Sequence, residues 1–341
     1  MLLEKKIKEL EQIDIKKTAL PDFDAFWKNK IKETKGAKLN VKSKKADYPL
    51  TALRVEDITF EGTDGTAIHA WKVLPNPMHA KKIPFLIHYH GLGGDRAYPY
   101  NYAHWAAMGI GVLAADARLQ GGNTGSKTGF ETGSSGSVAS MGLESEHDFY
   151  FGKHVIDSLR AVEAVKTFPE ADVKRIIAEG ASQGGGVAFS VAALYADEIF
   201  ACMADVPAFC WYEKRILDRA GSATDIATYL NRHPDKFERA LRTLSYFDNI
   251  NLVEKIKCPV LASVGLRDNI CPSENAYAAY NKIKAKKQME VYPFAGHEGG
   301  GIYHAELKLK WLLTIISLST LVENADSIFL VNPKREKYSM N

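Results

Sequence analysis

The chain has 341 residues, 46% hydrophobic and 25% charged, which excludes a disordered polymer and permits a large buried core. Its 44 basic and 41 acidic residues are interleaved and leave a formal charge of +3, so no broad field exists to hold nucleic acid or an anionic membrane. Lysines gather at 35–45 and 282–287, but without interleaved arginines or aromatics these read as a solvated loop and an exposed helix face.

Residues 1 to about 50 are polar, with leucine and isoleucine at helical spacing and Pro21-Asp22 ahead of Phe23, Phe26 and Trp27; they predict an N-terminal helical extension. No apolar signal segment opens the chain, so the expected compartment is the cytoplasm. Residues 53–60 and 66–74 have strand composition and flank Gly62-Thr63-Asp64-Gly65, the pattern of an antiparallel hairpin. Beyond it, strand-like runs at 83–89, 110–115, 175–179, 200–204, 259–265 and 288–293 alternate with helix-like stretches. Those stretches are 145–167, 184–195, 273–286 and a last one from about Tyr303. This alternation predicts an α/β fold, a mostly parallel sheet with helices on both faces, read here as one domain.

Two insertions interrupt it. Residues 121–142 are rich in glycine and serine, around Gly133-Ser134-Ser135-Gly136-Ser137, and read as a long loop. Residues 207–252 have helical spacing and many charges and predict a helical cap over the carboxyl edge of the sheet. The apolar segment 311–322 is too short to span a bilayer and reads as a core helix. Cys202, Cys210, Cys258 and Cys271 form no C-x-x-C pair and read as reduced structural thiols.

Gly180-Ala181-Ser182-Gln183-Gly184 matches G-x-S-x-G, in which a serine stands on a tight turn between a strand and a helix. The pentapeptide alone is a weak signal; a strand-like run before it and a helix-like run after it give it meaning. A serine hydroxyl is a poor nucleophile, so it requires a base and an acid that orients the base. In folds with this motif the chain order is serine, acid, histidine, which leaves His233, His297 and His304 of the ten histidines. His233 lies in the cap and His304 in the last helix, whereas His297 sits in a glycine-rich loop after a strand. The acid expected after the preceding strand is Asp268, with Asp248 and Glu274 as fallbacks; beside Arg267, Asp268 could also be a loop salt bridge. An oxyanion needs two aimed donors, expected from the backbone N–H groups of Gln183 and of Leu92 in His90-Gly91-Leu92-Gly93-Gly94.

Other motifs fail. His88-Tyr89-His90 has no further ligand at metal spacing, position 301 is glycine where a zinc H-E-x-x-H needs histidine, and the glycines at 91–94 lack a dinucleotide or P-loop pattern. No metal, nucleotide or other cofactor is expected.

Through PDFDAFW, HGLGG, GASQGGG, RTLSYFD, GLRDNICP and GHEGGG the chain closely resembles the acetyl xylan esterase and cephalosporin C deacetylase family of α/β-hydrolases, carbohydrate esterase family seven, from about Pro21 to the last helix. The resemblance implies a triad of Ser182, Asp268 and His297, hydrolysis of small acetyl esters without a cofactor, and assembly as hexameric rings. Transfer of the acyl group to an alcohol or peroxide, or action on other short esters, uses the same triad. A binding protein without catalysis is the rival from another class. Two departures stand out: Leu119 occupies a glycine of the family's R-G-Q-G stretch, and Leu92 stands where tyrosine is common. Arg118 and Gln120, the matching members of that stretch, are expected to brace the site.

Overall fold

The computed structural model describes residues 1–130 and 137–323, with side chains to 317. Nine strands form one sheet: β1 (Lys42–Lys45), β2 (Leu53–Glu61), β3 (Ala67–Pro75), β4 (Ile83–Tyr89), β5 (Gly111–Ala115), β6 (Ala171–Ala181), β7 (Ile199–Asp205), β8 (Val260–Gly265) and β9 (Lys287–Tyr292). Their order is β1-β2-β3-β5-β4-β6-β7-β8-β9. The first three strands and β5 pair antiparallel, and every pairing from β5 through β4 to β9 is parallel.

Parallel strands covered on both faces are mostly apolar, as β4 and β8 are apart from His88 and Ser263. Helices Tyr150–Lys166, Gln183–Leu194 and Ser273–Tyr280 cover one face, and helices Ala103–Ala107 and Gly301–Glu323 the other. This is the α/β-hydrolase arrangement. The parallel strands all end at one rim, where loops after β4, β6, β8 and β9 meet.

The predicted hairpin pairs Leu53 with Pro75 through Glu61 with Ala67, and the parallel strands fall within a few residues of expectation. Three expectations change. The lysine-rich stretch is not loop alone: Lys42–Lys45 adds an antiparallel edge strand to β2, with all four side chains in solvent. An edge strand that buries nothing carries no hydrophobic alternation, and exposed lysines protect such edges. The helix expected to reach 286 ends at Tyr280, because Lys287 Nζ caps it by donating to the carbonyls of Tyr280 (2.9 Å) and Asn281 (3.0 Å). The basic stretch at 282–287 is therefore a turn into β9. The helix expected from 145 starts at Tyr150.

The last helix buries one side only: Leu312 and Ile315 lie against the sheet while Leu313 is exposed. Residues 311–317 thus flank the sheet, and no helix among the described residues is long and apolar enough to cross a membrane. The four cysteines are free and buried. Between β7 and β8 lie helices Tyr212–Leu217, Ala223–Arg232, Phe237–Ser245 and Asn249–Leu252. The N-terminal helix Phe23–Gly36 packs Phe23, Phe26 and Trp27 on Tyr246 and Phe247, and Trp27 Nε1 donates to the Tyr246 carbonyl at 2.9 Å. Of the glycine- and serine-rich insertion, residues 131–136, which hold most of the Gly133-Ser134-Ser135-Gly136-Ser137 run, lie outside the described residues; 121–130 and 137–142 are irregular apart from a short 3-10 turn, Val138–Ser140.

Candidate active site

Strand β6 ends at Ala181 and the helix Gln183–Leu194 begins two residues later, so Ser182 makes the whole turn. Its backbone stands at φ 59°, ψ −120°, a region costly for a residue with a Cβ. Hydrogen bonds hold it there: Ser182 N–H donates to the Asp205 carbonyl (2.9 Å), and its carbonyl accepts from Gly186 (3.0 Å) and Ala208 (2.9 Å). The turn is tight enough to exclude side chains at its flanks. A Cβ on Gly180 would stand 2.5 Å from the Tyr89 carbonyl oxygen, and one on Gly184 only 1.8 Å from the same atom.

His297 lies in the loop between β9 and the last helix, and Asp268 in the turn after β8. Their chain separation closes in space: His297 Nε2 is 2.9 Å from Ser182 Oγ, and His297 Nδ1 is 2.8 Å from Asp268 Oδ2. The other carboxylate oxygen accepts the N–H groups of Ile270 (2.8 Å) and Cys271 (2.9 Å), which fixes the carboxylate plane. Asp268's side chain is fully buried, while His297 keeps 33% exposure toward the rim. Arg267 does not pair with Asp268 but lies over the Phe294 ring at 5.4 Å. A hydroxyl against one imidazole nitrogen, with a buried carboxylate on the other, can lose its proton to the ring while the carboxylate stabilises the imidazolium.

The loop after β4 passes beside this turn: a Cβ on Gly91 would lie 3.9 Å from both Ala181 O and Ser182 Cβ. Gln120 links the two segments that carry Leu92 and Gln183. Its Oε1 accepts from Gly93 N–H (2.7 Å), and its Nε2 donates to Gln183 Oε1 (2.9 Å) and Tyr150 Oη (2.8 Å). Arg118 lies further back, with Nε and Nη2 on Asp157 (2.6 and 2.8 Å) and Nη1 on Asp64 Oδ2 (2.8 Å). It fastens the hairpin turn to the helix Tyr150–Lys166, and pairing with Arg118 holds Asp64 well below the usual carboxylate range despite partial burial. Leu119 takes φ +56° with its side chain 41% exposed, so the turn keeps the left-handed geometry a glycine would favour and points the extra carbons to solvent. Leu92 is likewise at the surface, 40% exposed.

The fallback residues have other partners. Asp248 caps the helix Asn249–Leu252 and accepts N–H groups from Trp211, Tyr212 and Ile250; burial pushes its carboxyl up to about 6. Glu274 pairs with Lys6. His233 is exposed against the Tyr229 ring. The rings of His88 and His90 go to separate partners, His88 Nδ1 to Glu179 Oε2 (2.6 Å) and His90 Nε2 to the Ala117 N–H (2.8 Å). Among the described residues no group of three or more His, Cys, Asp or Glu is arranged to hold a metal ion.

Sequence reasoning missed a buried ionic cluster behind the site. Lys308 Nζ lies 2.7 Å from Glu179 Oε1 and 2.6 Å from Asp205 Oδ2, and His304 Nε2 lies 2.8 Å from Asp205 Oδ1. Burial alone would raise both carboxyls, but Lys308 with the two histidines holds them below their ordinary values. Two signals were present: a glutamate closing the apolar run of β6, and a histidine and a lysine one turn apart on the last helix.

Compared with known proteins, residues 1–315 match the family model described as acetyl xylan esterase (AXE1). The acetyl xylan esterase from Paenibacillus sp. R4 has a similar structure: TM-score 0.87, 32% identity, covering 90% of this chain and 98% of that one. Acetyl Xylan Esterase 1 from Thermoanaerobacterium sp. JW/SL YS485 gives TM-score 0.84, 27% identity and the same 90% and 98% coverage. The curated acetyl esterase Axe7A of Xylanibacter ruminicola is 27% identical over 290 residues, 81% of this chain; the match spans 63% of that relative's length. With a family model covering most of its length and a solved relative above 30% identity, the chain belongs to the acetyl xylan esterase family.

Proposed function

We propose that this chain is a serine esterase that removes acetyl groups from small esters; its relatives' names point to acetyl xylan, and the resemblance implies acetylated xylo-oligosaccharides as the substrate class. The observation that carries the reading is the continuous contact from Ser182 Oγ through His297 to Asp268, at 2.9 and 2.8 Å. Ser182 Oγ attacks the ester carbonyl as His297 Nε2 takes the hydroxyl proton, and Asp268 holds the Nδ1–H of the resulting imidazolium. The N–H groups of Gln183 and Leu92 receive the oxyanion, with Gln120 bracing both segments. Collapse expels the alcohol, which leaves with the proton from His297, and Ser182 keeps the acyl group. A water then gives a proton to His297 and attacks the acyl carbon; as acetate is released His297 returns that proton to Ser182 Oγ, and both residues are reset.

A fluorophosphonate probe is expected to label Ser182, and Ser182→Ala to lose at least about 10⁴-fold in kcat on 4-nitrophenyl acetate. An unlabelled serine together with a fully active Ser182→Ala variant overturns the assignment. Acetyl over butyryl and octanoyl esters is the expected preference. The resemblance adds acetylated cephalosporins as substrates and a hexamer, the last tested by light scattering of the full chain; the sequence pattern adds a cytoplasmic location and one domain with a helical cap at 207–252.

A further inference from the structure

The loop that carries His297 has two feet, Tyr292 at the end of β9 and Gly301 at the start of the last helix. Between them Gly299 (φ 51°) and Gly300 (φ 97°) take left-handed conformations that lead into the helix at Gly301 (φ 52°).

Both feet are tied to the strands beneath. His304, in the first turn of the helix, accepts or donates through Nδ1 to Tyr292 Oη at 2.9 Å and reaches Asp205 Oδ1 through Nε2 at 2.8 Å. One turn on, Lys308 Nζ bridges Asp205 Oδ2 and Glu179 Oε1 at 2.6 and 2.7 Å. Glu179, Asp205, His304 and Lys308 are all buried. Glu179 stands on β6 just ahead of Ser182, and Asp205 is the residue whose backbone carbonyl receives the Ser182 N–H at 2.9 Å. One aspartate therefore holds the serine turn by its main chain and the histidine loop by its side chain. The loop also rests on the next residue: a Cβ on Gly299 would be 2.6 Å from Val206 Cγ1.

We infer that Tyr292, His304 and Lys308 are positioning residues, a clamp on Asp205 and Glu179 that sets the reach of His297 to Ser182 Oγ. The inference rests on the proposed roles of Ser182 and His297. A buried ion pair is a weak source of stability, whereas a base displaced by about 1 Å loses about 100-fold in rate.

The test uses the full chain with Tyr292→Phe, which deletes one hydroxyl, and His304→Gln, which disrupts both ring contacts. The quantities read are kcat and KM per fluorophosphonate-labelled serine on 4-nitrophenyl acetate, the rate of that labelling, and Tm. For a positioning role kcat per labelled serine falls about 10-fold in Tyr292→Phe and about 100-fold in His304→Gln, with KM within about 2-fold and labelling slowed in parallel. A lowered Tm with unchanged kcat per labelled serine makes the cluster a structural brace and overturns the inference. If His304→Gln does not fold, Tyr292→Phe decides alone. Wild-type protein left unlabelled at Ser182 defeats the esterase reading itself; labelled wild type beside fully active variants defeats only the clamp.

Discussion

The turn that carries Ser182 is held by backbone contacts among apolar strands, whereas the loop that carries His297 is held by a buried cluster of charges under its feet. The first constraint is steric: Gly180 and Gly184 leave no room for a side chain against the Tyr89 carbonyl. It has no charge and no dependence on pH. The second constraint is electrostatic, with carboxylates held ionised in a dry environment by Lys308 and two histidines. One side of the site thus tolerates pH change but not volume, and the other tolerates neither loss of charge nor strong acid.

The largest expected effect is at Lys308. Lys308→Met removes the cation from between Glu179 and Asp205 and leaves two buried carboxylates facing each other, at a cost of about 3–5 kcal/mol in denaturant unfolding. The pH dependence also separates the two proteins. In the wild type both carboxyls titrate below their unfolded values, so their contribution is present above the unfolded pKa of about 4 and is lost as pH falls through the folded values. In Lys308→Met repulsion and burial act without the cation, both carboxyls move up, and mild acid stabilises the variant. Unfolding curves at neutral pH and near pH 5 that shift the same way in both proteins break the electrostatic half of the contrast.

Gly184→Ala tests the steric half. Its added carbon would stand 1.8 Å from a backbone oxygen, so strand β4 or the helix Gln183–Leu194 must move, at about 3 kcal/mol. That loss is expected to be the same at any pH where the wild type is folded. Loss smaller than about 1 kcal/mol by urea titration means the turn has slack and the crowding is not a constraint.

Gln120→Ala probes the brace between the two regions that should supply the oxyanion donors. It removes the contacts to Gly93 and Gln183 without touching Ser182 or His297. The expected result is about a 10-fold lower kcat with little change in Tm, short of the effect of deleting a donor itself. An unchanged kcat would show that the loop after β4 holds its shape without the glutamine.

The parallel strands and the serine turn were legible because a sheet buried on both faces demands unbroken apolar runs, and a crowded turn demands small residues in fixed places. The chain order of serine, acid and histidine left three histidines, and placement in loops that follow strands then picked His297 and Asp268; the fold joins His297 to both Ser182 and Asp268 by hydrogen bonds. Strand β1 was illegible because four exposed polar residues, three lysines and a serine, carry no hydrophobic periodicity. The end of the helix at Tyr280 was illegible because a lysine from β9, several residues on, caps it. The ionic cluster was missed for a related reason: Glu179, Asp205 and Lys308 each read as an ordinary charge, and only the register of β6 beside β7 and the docking of the last helix bring them together. Sterics leave marks within a few residues of sequence, whereas buried charge pairs are long-range.

The smallest effect lies at Leu119, where the chain departs from the glycine that its resemblance leads one to expect. Its φ of +56° is a conformation in which a Cβ is disfavoured, yet its side chain is partly in solvent and its N–H still donates to the Thr124 carbonyl at 2.8 Å. Leu119→Gly relieves strain of about 1 kcal/mol and gives part of it back as chain entropy in the unfolded state, for a net gain of roughly 0.5 kcal/mol. A Tm rise of about 1–2 °C with unchanged kcat is the expected outcome. If kcat instead moves while Tm does not, Leu119 is felt at the rim of the site through Gln120, its neighbour in sequence, and the turn belongs with the histidine loop among the parts that position rather than merely support.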